Sequence, residues 1–146
     1  YAGIITLGAK LMFACGEATV PKVNVTLRKS YGGAHCVMSS KQLRGDFNYA
    51  WPTAEIAVMG AAGAIEVLEG RAISKIENAE EKAKFIADKT AEYNDKFANP
   101  YMAASYGYID DVIEPRNTRF RVIRAFQALQ TKKQVNPLKK HSNIPL

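Results

Sequence analysis

The sequence predicts an α/β protein in which short strands alternate with helices. Residues 4–19 are almost all apolar or small, and their apolar side chains recur every three or four positions, as on one helix face. Residues 23–28 instead alternate apolar and polar side chains, which is typical of a strand. Strand-like and helix-like stretches continue to alternate along the chain as far as about residue 131. This alternation is the basis for the fold class.

The first predicted helix, 4–19, carries apolar side chains on two faces. Leu7 belongs to one face and Met12 to the other, so we expect the helix to be buried on more than one side. Gly8 and Gly16 weaken a helix intrinsically. They therefore predict close packing against another backbone.

A glycine pair, Gly32-Gly33, follows the strand at 23–28 and precedes a short apolar stretch at 34–38 that we predict to be helical. Such glycines are explained equally well by a turn that needs positive φ. In the functional alternative, backbone N–H groups at the start of the new helix point at a developing negative oxygen. A site of that kind needs no charged side chain.

The remaining elements follow in order along the chain. They are buried strands at 47–51 and 54–59, a small-residue helix at 60–68, a long helix from 79 to about 97, a strand at 108–113, and a final helix from 117 to about 131. Asn78 and Glu81 form the N-cap and N3 pair of the long helix, which Pro100 should end. In the final helix we expect Val122, Ile123, Phe126 and Leu129 to face inward.

Length and composition set the limits of the protein. With 146 residues, 47% of them hydrophobic, the chain is long enough for one core and one domain. No apolar run approaches the roughly 18–20 residues that a membrane span needs, so we predict no membrane insertion. The chain begins Tyr1-Ala2-Gly3 rather than with methionine, and we therefore expect a processed product or a piece of something longer.

The net charge of +6 is unevenly distributed. Positions 1–114 hold 12 basic and 14 acidic residues, whereas the 8 charged residues that follow are all basic. Only Phe120 and Phe126 are interleaved with them, at spacings that suit a core face. We interpret this end as a solvated or intersubunit basic face and predict no nucleic-acid partner.

Several kinds of chemistry are disfavoured by the residues present. Two Cys and two His without metal-ligand spacing predict no metal site. A nucleophilic Cys36 needs a base, and its neighbour His35 should point away, so we expect a buried inert thiol. The stretch from Gly60 to Gly63 lacks the lysine and the spacing of a phosphate loop, and small-residue helix packing explains it better.

Several longer motifs resemble the carboxyltransferase subunits of biotin-dependent acyl-CoA carboxylases. They are Gly3-Ile-Ile-Thr-Leu-Gly-Ala-Lys-Leu11, Glu17-Ala-Thr-Val-Pro-Lys22, Arg28-Lys-Ser-Tyr-Gly-Gly-Ala34, Val37-Met-Ser-Ser-Lys41, Asn48-Tyr-Ala-Trp-Pro-Thr-Ala-Glu-Ile-Ala-Val-Met-Gly60, Phe97-Ala-Asn-Pro100, Gly107-Tyr-Ile-Asp-Asp-Val-Ile-Glu-Pro115 and Lys140-His-Ser-Asn-Ile-Pro-Leu146. The resemblance spans the whole chain. Within the family it is strongest to subunits that carboxylate propionyl-CoA, with methylmalonyl-CoA decarboxylases close beside them.

The resemblance implies a crotonase-like ββα spiral and a larger functional unit. Family subunits contain two similar halves, and residues 1–146 resemble the C-terminal portion of the second half, with 131–146 as a polar C-terminal tail. The first half, which supplies most of the CoA-binding surface, lies outside this chain. The family's active site forms between halves of different subunits, which assemble as hexamers in the cytoplasm.

The implied reaction moves a carboxyl group from carboxybiotin to the α-carbon of a short acyl-CoA, propionyl-CoA giving methylmalonyl-CoA. Biotin carboxylase and a biotin carrier are the implied partners. The amides of Gly33 and Ala34 match the family's donors to the biotin ureido oxygen. Cys36 matches the position that tunes acyl preference, and Gly32 and His35 would border the same pocket. His35 departs from the usual tyrosine.

Two alternatives stay open from the sequence. The same fold could serve a decarboxylase subunit that takes the carboxyl group off methylmalonyl-CoA. Alternatively, the isolated chain could be a non-catalytic assembly module that docks on other subunits through its basic end.

Overall fold

Two parallel sheets organise the computed structural model, which describes residues 3–138. The strands are β1 (Val23–Thr26), β2 (Lys29–Tyr31), β3 (Phe47–Ala50), β4 (Glu55–Ala57) and β5 (Asp111–Val112). The helices are α1 (Ile4–Glu17), α2 (Gly32–Val37), α3 (Ala61–Ile73), α4 (Ala79–Lys96), α5 (Pro100–Ser105) and α6 (Thr118–Ala128). Short 3₁₀ turns span Lys41–Leu43 and Pro115–Asn117. The alternation of strands and helices confirms the α/β class.

The strands pair in parallel because a helix or a long loop separates each strand from its partner. One sheet has the order β1-β3-β5, with Val25 opposite Tyr49 and Tyr49 opposite Asp111. The other sheet joins β2 to β4, with Tyr31 opposite Ala57. The predicted strand at 23–28 is therefore shorter than expected, since β1 ends at Thr26 and β2, in the other sheet, begins only at Lys29.

The core is formed by small and β-branched side chains near the C-terminal ends of the strands. One cluster joins Ala50, Ala54 and Ile56 to α5 and the loop after it. A second cluster packs Tyr49 and Ile113 against α6. Both clusters lie against β3, so this strand is the centre of the described fold.

The ends of α4 and α5 follow the capping chemistry of their sequences. The Asn78 side chain accepts hydrogen bonds from the backbone N–H groups of Glu80 and Glu81 at 2.9 and 3.4 Å, which confirms the predicted N-cap. Asn99 accepts from the N–H of Met102 at 2.8 Å, and Pro100 occupies the first turn of α5. The Asn-Pro pair therefore starts a further helix, which the sequence reasoning missed.

The prediction that the first helix is buried on more than one side is wrong for the described residues. Leu7 is 66% exposed and Met12 41%, and a Cβ added at Gly8 or Gly16 would meet nothing within 4 Å. The reason is that α1 packs mainly against α2 and the Lys41–Leu43 turn, which cover only one side. No helix within residues 3–138 combines the length and apolarity needed to cross a membrane.

The final helix also turns a different face inward from the one predicted. Ala125 is buried against Tyr49 and Ile113, whereas Ile123 and Phe126 are 44% and 45% exposed. The small alanine side chain lets the helix backbone approach β1 and β3, and the larger apolar residues are rotated outward. The inward assignment is therefore wrong for Ile123 and Phe126, whereas Val122 and Leu129 are half-buried.

Candidate functional site

The junction between β2 and α2 depends on glycine at position 32. Gly32 adopts φ +52°, and a Cβ there would lie 2.8 Å from the carbonyl oxygen of Val58. Any other L-residue would therefore meet both left-handed strain and a backbone clash. The turn explanation holds for Gly32. It does not extend to Gly33, which has no positive φ and has open space around it.

Two backbone donors follow this turn. The N–H groups of Gly33 and Ala34 lie in the first turn of α2, where no preceding helical carbonyl can accept from them. Both residues are exposed, and within residues 3–138 neither amide donates a hydrogen bond to another residue. These amides are available to a carbonyl or anionic oxygen at the surface. The predicted pair therefore lies at the start of α2 with unoccupied N–H groups, and its role as a donor pair stays a prediction.

His35 is buried behind those donors. Its Nδ1 lies 3.0 Å from the hydroxyl oxygen of Ser30, and burial lowers the pKa of the imidazole. The ring is thus neutral at physiological pH. Its Nε2 is buried and has no hydrogen-bond partner among the described residues. Among the described residues, no hydrogen bond joins the imidazole of His35 to the thiol of Cys36.

Cys36 is half-buried rather than buried as expected. With Gly32 and His35 it lines one side of an apolar cavity of about 640 Å³. That volume is within the range of small-molecule sites, which run from roughly 300 to 1,000 Å³. The structure thus brings three of the predicted site residues to one cavity. Gly33 and Ala34 lie outside its lining, on the exposed side of the turn.

The opposite side of the cavity is aromatic and was missed by the sequence reasoning. It is formed by four rings, Tyr93 of α4, Phe97 just after it, and Tyr106 and Tyr108 after α5, together with the aliphatic side chains of Leu68 and Met102. The rings of Tyr106 and Tyr108 lie 6.0 Å apart, on either side of Gly107 at φ +74°. The Tyr-Gly-Tyr spacing was the available signal. It could not be interpreted without α5, which directs this turn toward α2.

Tyr31 connects the turn to the neighbouring strand. Its hydroxyl donates a hydrogen bond to the Glu55 carboxylate on β4, and burial together with that carboxylate raises the pKa of Tyr31 to about 12. A Cβ on Gly60 would lie 3.2 Å from the Tyr31 ring. Packing therefore explains Gly60, as predicted. It does not explain Gly63, whose surroundings are open.

The basic C-terminal residues are partly engaged in ion pairs. Arg121 pairs with Asp111 and its guanidinium carbon lies 5.5 Å from the centre of the Tyr49 ring, while Lys132 contacts Asp46 at 2.7 Å. The part of the chain that the structure describes holds no group of three His, Cys, Asp or Glu side chains suited to a metal ion. The terminal motif from residue 140 to 146, and the second half of the predicted 131–146 tail, lie outside the described residues.

Comparison with known proteins finds one family and its relatives. The sequence profile of the family described as "Carboxyl transferase domain" matches residues 1–144. The chain is 60% identical over its full length to the propionyl-CoA carboxylase beta chain of Cereibacter sphaeroides and 51% identical to the methylmalonyl-CoA decarboxylase subunit alpha of Propionigenium modestum. It covers 27% and 28% of those two proteins, so it spans about a quarter of their length.

The fold is shared with solved carboxyltransferases. The whole chain superposes on part of the transcarboxylase 12S hexamer with a TM-score of 0.87 and 46% sequence identity, covering 27% of that chain. Transcarboxylase 12S was solved with hydrolysed methylmalonyl-coenzyme A bound. This likeness confirms the crotonase-like α/β fold that the sequence resemblance implied.

Proposed function

The chain belongs to the carboxyl transferase domain family, and from that membership we propose that its full-length subunit transfers a carboxyl group to a short acyl-CoA. The proposed acceptor is the α-carbon of propionyl-CoA, giving methylmalonyl-CoA. Identity of 60% to a propionyl-CoA carboxylase beta chain over all 146 residues supports this choice. Residues 1–146 would form the C-terminal portion of the second carboxyltransferase half.

One observation carries the proposal in this chain: after the turn at Gly32, two exposed amides have no hydrogen-bond partner among residues 3–138. A ureido carbonyl is a hydrogen-bond acceptor, so the donors at Gly33 and Ala34 fit the ureido oxygen of biotin. Carboxybiotin, presented by a separate carrier, supplies the carboxyl group when bound. The amides stabilise negative charge on that oxygen as the carboxyl group leaves, and they need no reorganisation because the turn is fixed.

The cavity beside the turn fits the acyl group. Cys36 offers a small neutral side chain to a short apolar chain, and Gly32 and His35 complete the same side. The neutral imidazole adds no charge to this apolar environment. We assign Cys36 to substrate specificity rather than to nucleophilic chemistry, because no base contacts it among the described residues.

The proposed partners follow from the missing parts of the site. Biotin carboxylase would load the carrier, and a first carboxyltransferase half, from another subunit, would bind most of the CoA. Hexamer assembly is established for transcarboxylase 12S, and it supports a homo-oligomer here. The cytoplasmic location stays a prediction.

Substitution of Ala34 by proline in the full-length subunit tests the donor role. Proline has no N–H, so the variant removes one donor from the turn. We expect the rate of carboxyl transfer to fall by on the order of 10²–10³. The matched control is Ala34→Gly, which keeps the N–H and should stay within a few-fold of the parent. A correctly assembled Ala34→Pro enzyme with normal transfer would contradict the donor role.

A second candidate function is decarboxylation of methylmalonyl-CoA, supported by 51% identity to a decarboxylase alpha subunit. The same two donors would serve this direction, because a donor that stabilises charge in one direction also stabilises it in reverse. The neighbouring genes separate the two candidates. A biotin carboxylase gene supports the carboxylase, and a membrane decarboxylase subunit supports the reverse reaction.

The third candidate, a non-catalytic assembly module, concerns the isolated chain. We expect residues 1–146 alone to show no carboxyl transfer, because half of the proposed site lies in the first carboxyltransferase half of another subunit. Size-exclusion chromatography and an activity assay of the isolated chain test this directly. Measured transfer activity would contradict the division of the site between halves.

A further inference from the structure

Tyr31 occupies the position from which the donor turn begins. It is the last residue of β2 and the N-cap residue of α2, so Gly32, Gly33 and Ala34 follow it directly. Any movement of the Tyr31 backbone is transmitted to those residues. The contacts of its side chain therefore bear on the direction of the two amides.

Three contacts fix this end of β2 to β4 and the residues after it. The Tyr31 hydroxyl donates to the Glu55 carboxylate, which lies two residues earlier in the register than Ala57, the partner of Tyr31. The Tyr31 ring covers Gly60, where a Cβ would come within 3.2 Å. The carbonyl oxygen of Val58 closes the side of the turn at Gly32. The turn is thus held at the start, the middle and the end of the 55–60 segment.

Of these three contacts, the hydrogen bond to Glu55 is the one that requires the tyrosine hydroxyl. Packing on Gly60 needs only a ring, and phenylalanine would supply one. The hydroxyl adds a directional, charge-assisted bond to a side chain 24 residues away in the sequence. Such a bond restricts rotation of the ring and with it the backbone of the N-cap residue.

We propose that Tyr31 is a positioning residue for carboxyl transfer, which acts through its hydrogen bond to Glu55 to keep the Gly33 and Ala34 amides aimed at the reacting oxygen. The inference rests on the proposed function, since it assumes that those amides are the donors. Preorganised donors act only while their direction is held, and small misplacements near a reacting centre reduce rates strongly. Neither Tyr31 nor Glu55 needs to touch substrate for this role.

The test compares Tyr31→Phe with the parent in the complete subunit, assembled with its partners. We expect kcat for carboxyl transfer to fall by about tenfold while KM for the acyl-CoA and the oligomeric state stay unchanged. Glu55→Ala removes the acceptor and leaves the tyrosine ring, so it should also lower kcat while KM stays unchanged. Glu55→Gln keeps an acceptor oxygen and should restore most of kcat.

A double variant provides the sharpest control. Tyr31→Phe combined with Glu55→Ala should lose no more activity than either single variant, because both remove the same bond. Additive losses would overturn the proposal. If Tyr31→Phe does not assemble, Glu55→Ala against Glu55→Gln provides the same comparison with the tyrosine in place.

Measuring Ala34→Pro in parallel separates this proposal from the function on which it rests. Loss of activity in Ala34→Pro with normal kcat in Tyr31→Phe overturns the positioning role and leaves the donors in place. Normal activity in Ala34→Pro overturns the donor role, and the positioning role with it. A lower melting temperature in Tyr31→Phe with no change in kcat also overturns the positioning role.

Discussion

Cys36 differs from its neighbours in the turn because its side chain, and not its backbone, is the group expected to matter. It is half-buried and lines the apolar cavity, whereas Gly33 and Ala34 lie on the exposed side. A thiol is small, so it leaves space that a bulkier residue would fill. The proposed function therefore assigns substrate choice and hydrogen-bond donation to different residues of one short helix.

Cys36→Ile should change the acyl preference of the full-length enzyme. The larger apolar side chain occupies part of the cavity, so the preference for propionyl-CoA over acetyl-CoA should narrow by about tenfold. Relative kcat/KM values for acetyl-, propionyl- and butyryl-CoA measure the effect. Cys36→Ser conserves the size of the side chain and should keep the original order. Unchanged ratios in Cys36→Ile would rule out this assignment.

The sequence could predict the glycine turn of the candidate site, but not the contacts that hold this turn in place. Gly32, Gly33 and Ala34 follow one another along the chain, so a strand followed by glycines and a helix was visible directly. The Tyr31–Glu55 bond joins two strands and depends on a register that no local pattern encodes. His35 was expected beside the cavity, but its hydrogen bond to Ser30 was not. That bond forms because α2 begins directly after β2, which brings the two side chains together.

Helix ends were predicted better than helix faces. The N-cap at Asn78 was recognised because capping is a local interaction between a side chain and the amides two and three residues later. The inward face of α6 depends instead on how closely its backbone approaches β1, and Ala125 decides that distance. Amphipathic periodicity ranks side chains by apolarity and therefore favoured Ile123 and Phe126 over the smaller residue.

Asn78→Ala should destabilise the protein by removing the cap of α4. Two backbone N–H groups lose their acceptor, and the free energy of unfolding should fall by about 1 kcal/mol. Chemical denaturation of the full-length subunit, followed by circular dichroism, measures the change. Asn78→Asp keeps an acceptor oxygen and should match the parent. Equal stability of the alanine and aspartate variants would contradict the capping role.

Distant parts of the chain are joined by a polar cluster beneath the end of α1. Lys132, just after α6, donates to Asp46 at 2.7 Å, and Asp46 also accepts from the backbone N–H of Lys22. Asn136 donates to the carbonyl oxygen of Glu17 at 2.7 Å. These bonds span 86 and 119 residues, so they hold the segment after α6 against the first helix. Hydrophobic patterning could not predict them.

The pKa of Asp46 makes this cluster sensitive to acid. Burial alone would raise the pKa, but the hydrogen bonds from Lys132 and the Lys22 backbone outweigh burial and lower it below its ordinary value of 3.8. A carboxyl group whose folded-state pKa is depressed stabilises the fold at every pH above its unfolded value. That contribution is lost as the pH falls through the folded pKa, so the sensitive range lies below about pH 4.

Asp46→Asn should therefore reduce stability in a pH-dependent way. The variant leaves Lys132, whose side chain is only 10% exposed, without its carboxylate, and at pH 7 the free energy of unfolding should fall by about 2 kcal/mol. The difference from the parent should persist down to about pH 4 and shrink below it, where the pH falls through the depressed pKa and Asp46 in the parent becomes protonated as well. Denaturation curves of the full-length subunit across this range measure it. Asp95→Asn, which changes an exposed carboxylate on α4, should leave the curves superimposed at each pH. If the parent and Asp46→Asn lose stability in parallel as the pH falls, the Lys132–Asp46 pair does not hold the two ends of the described chain together.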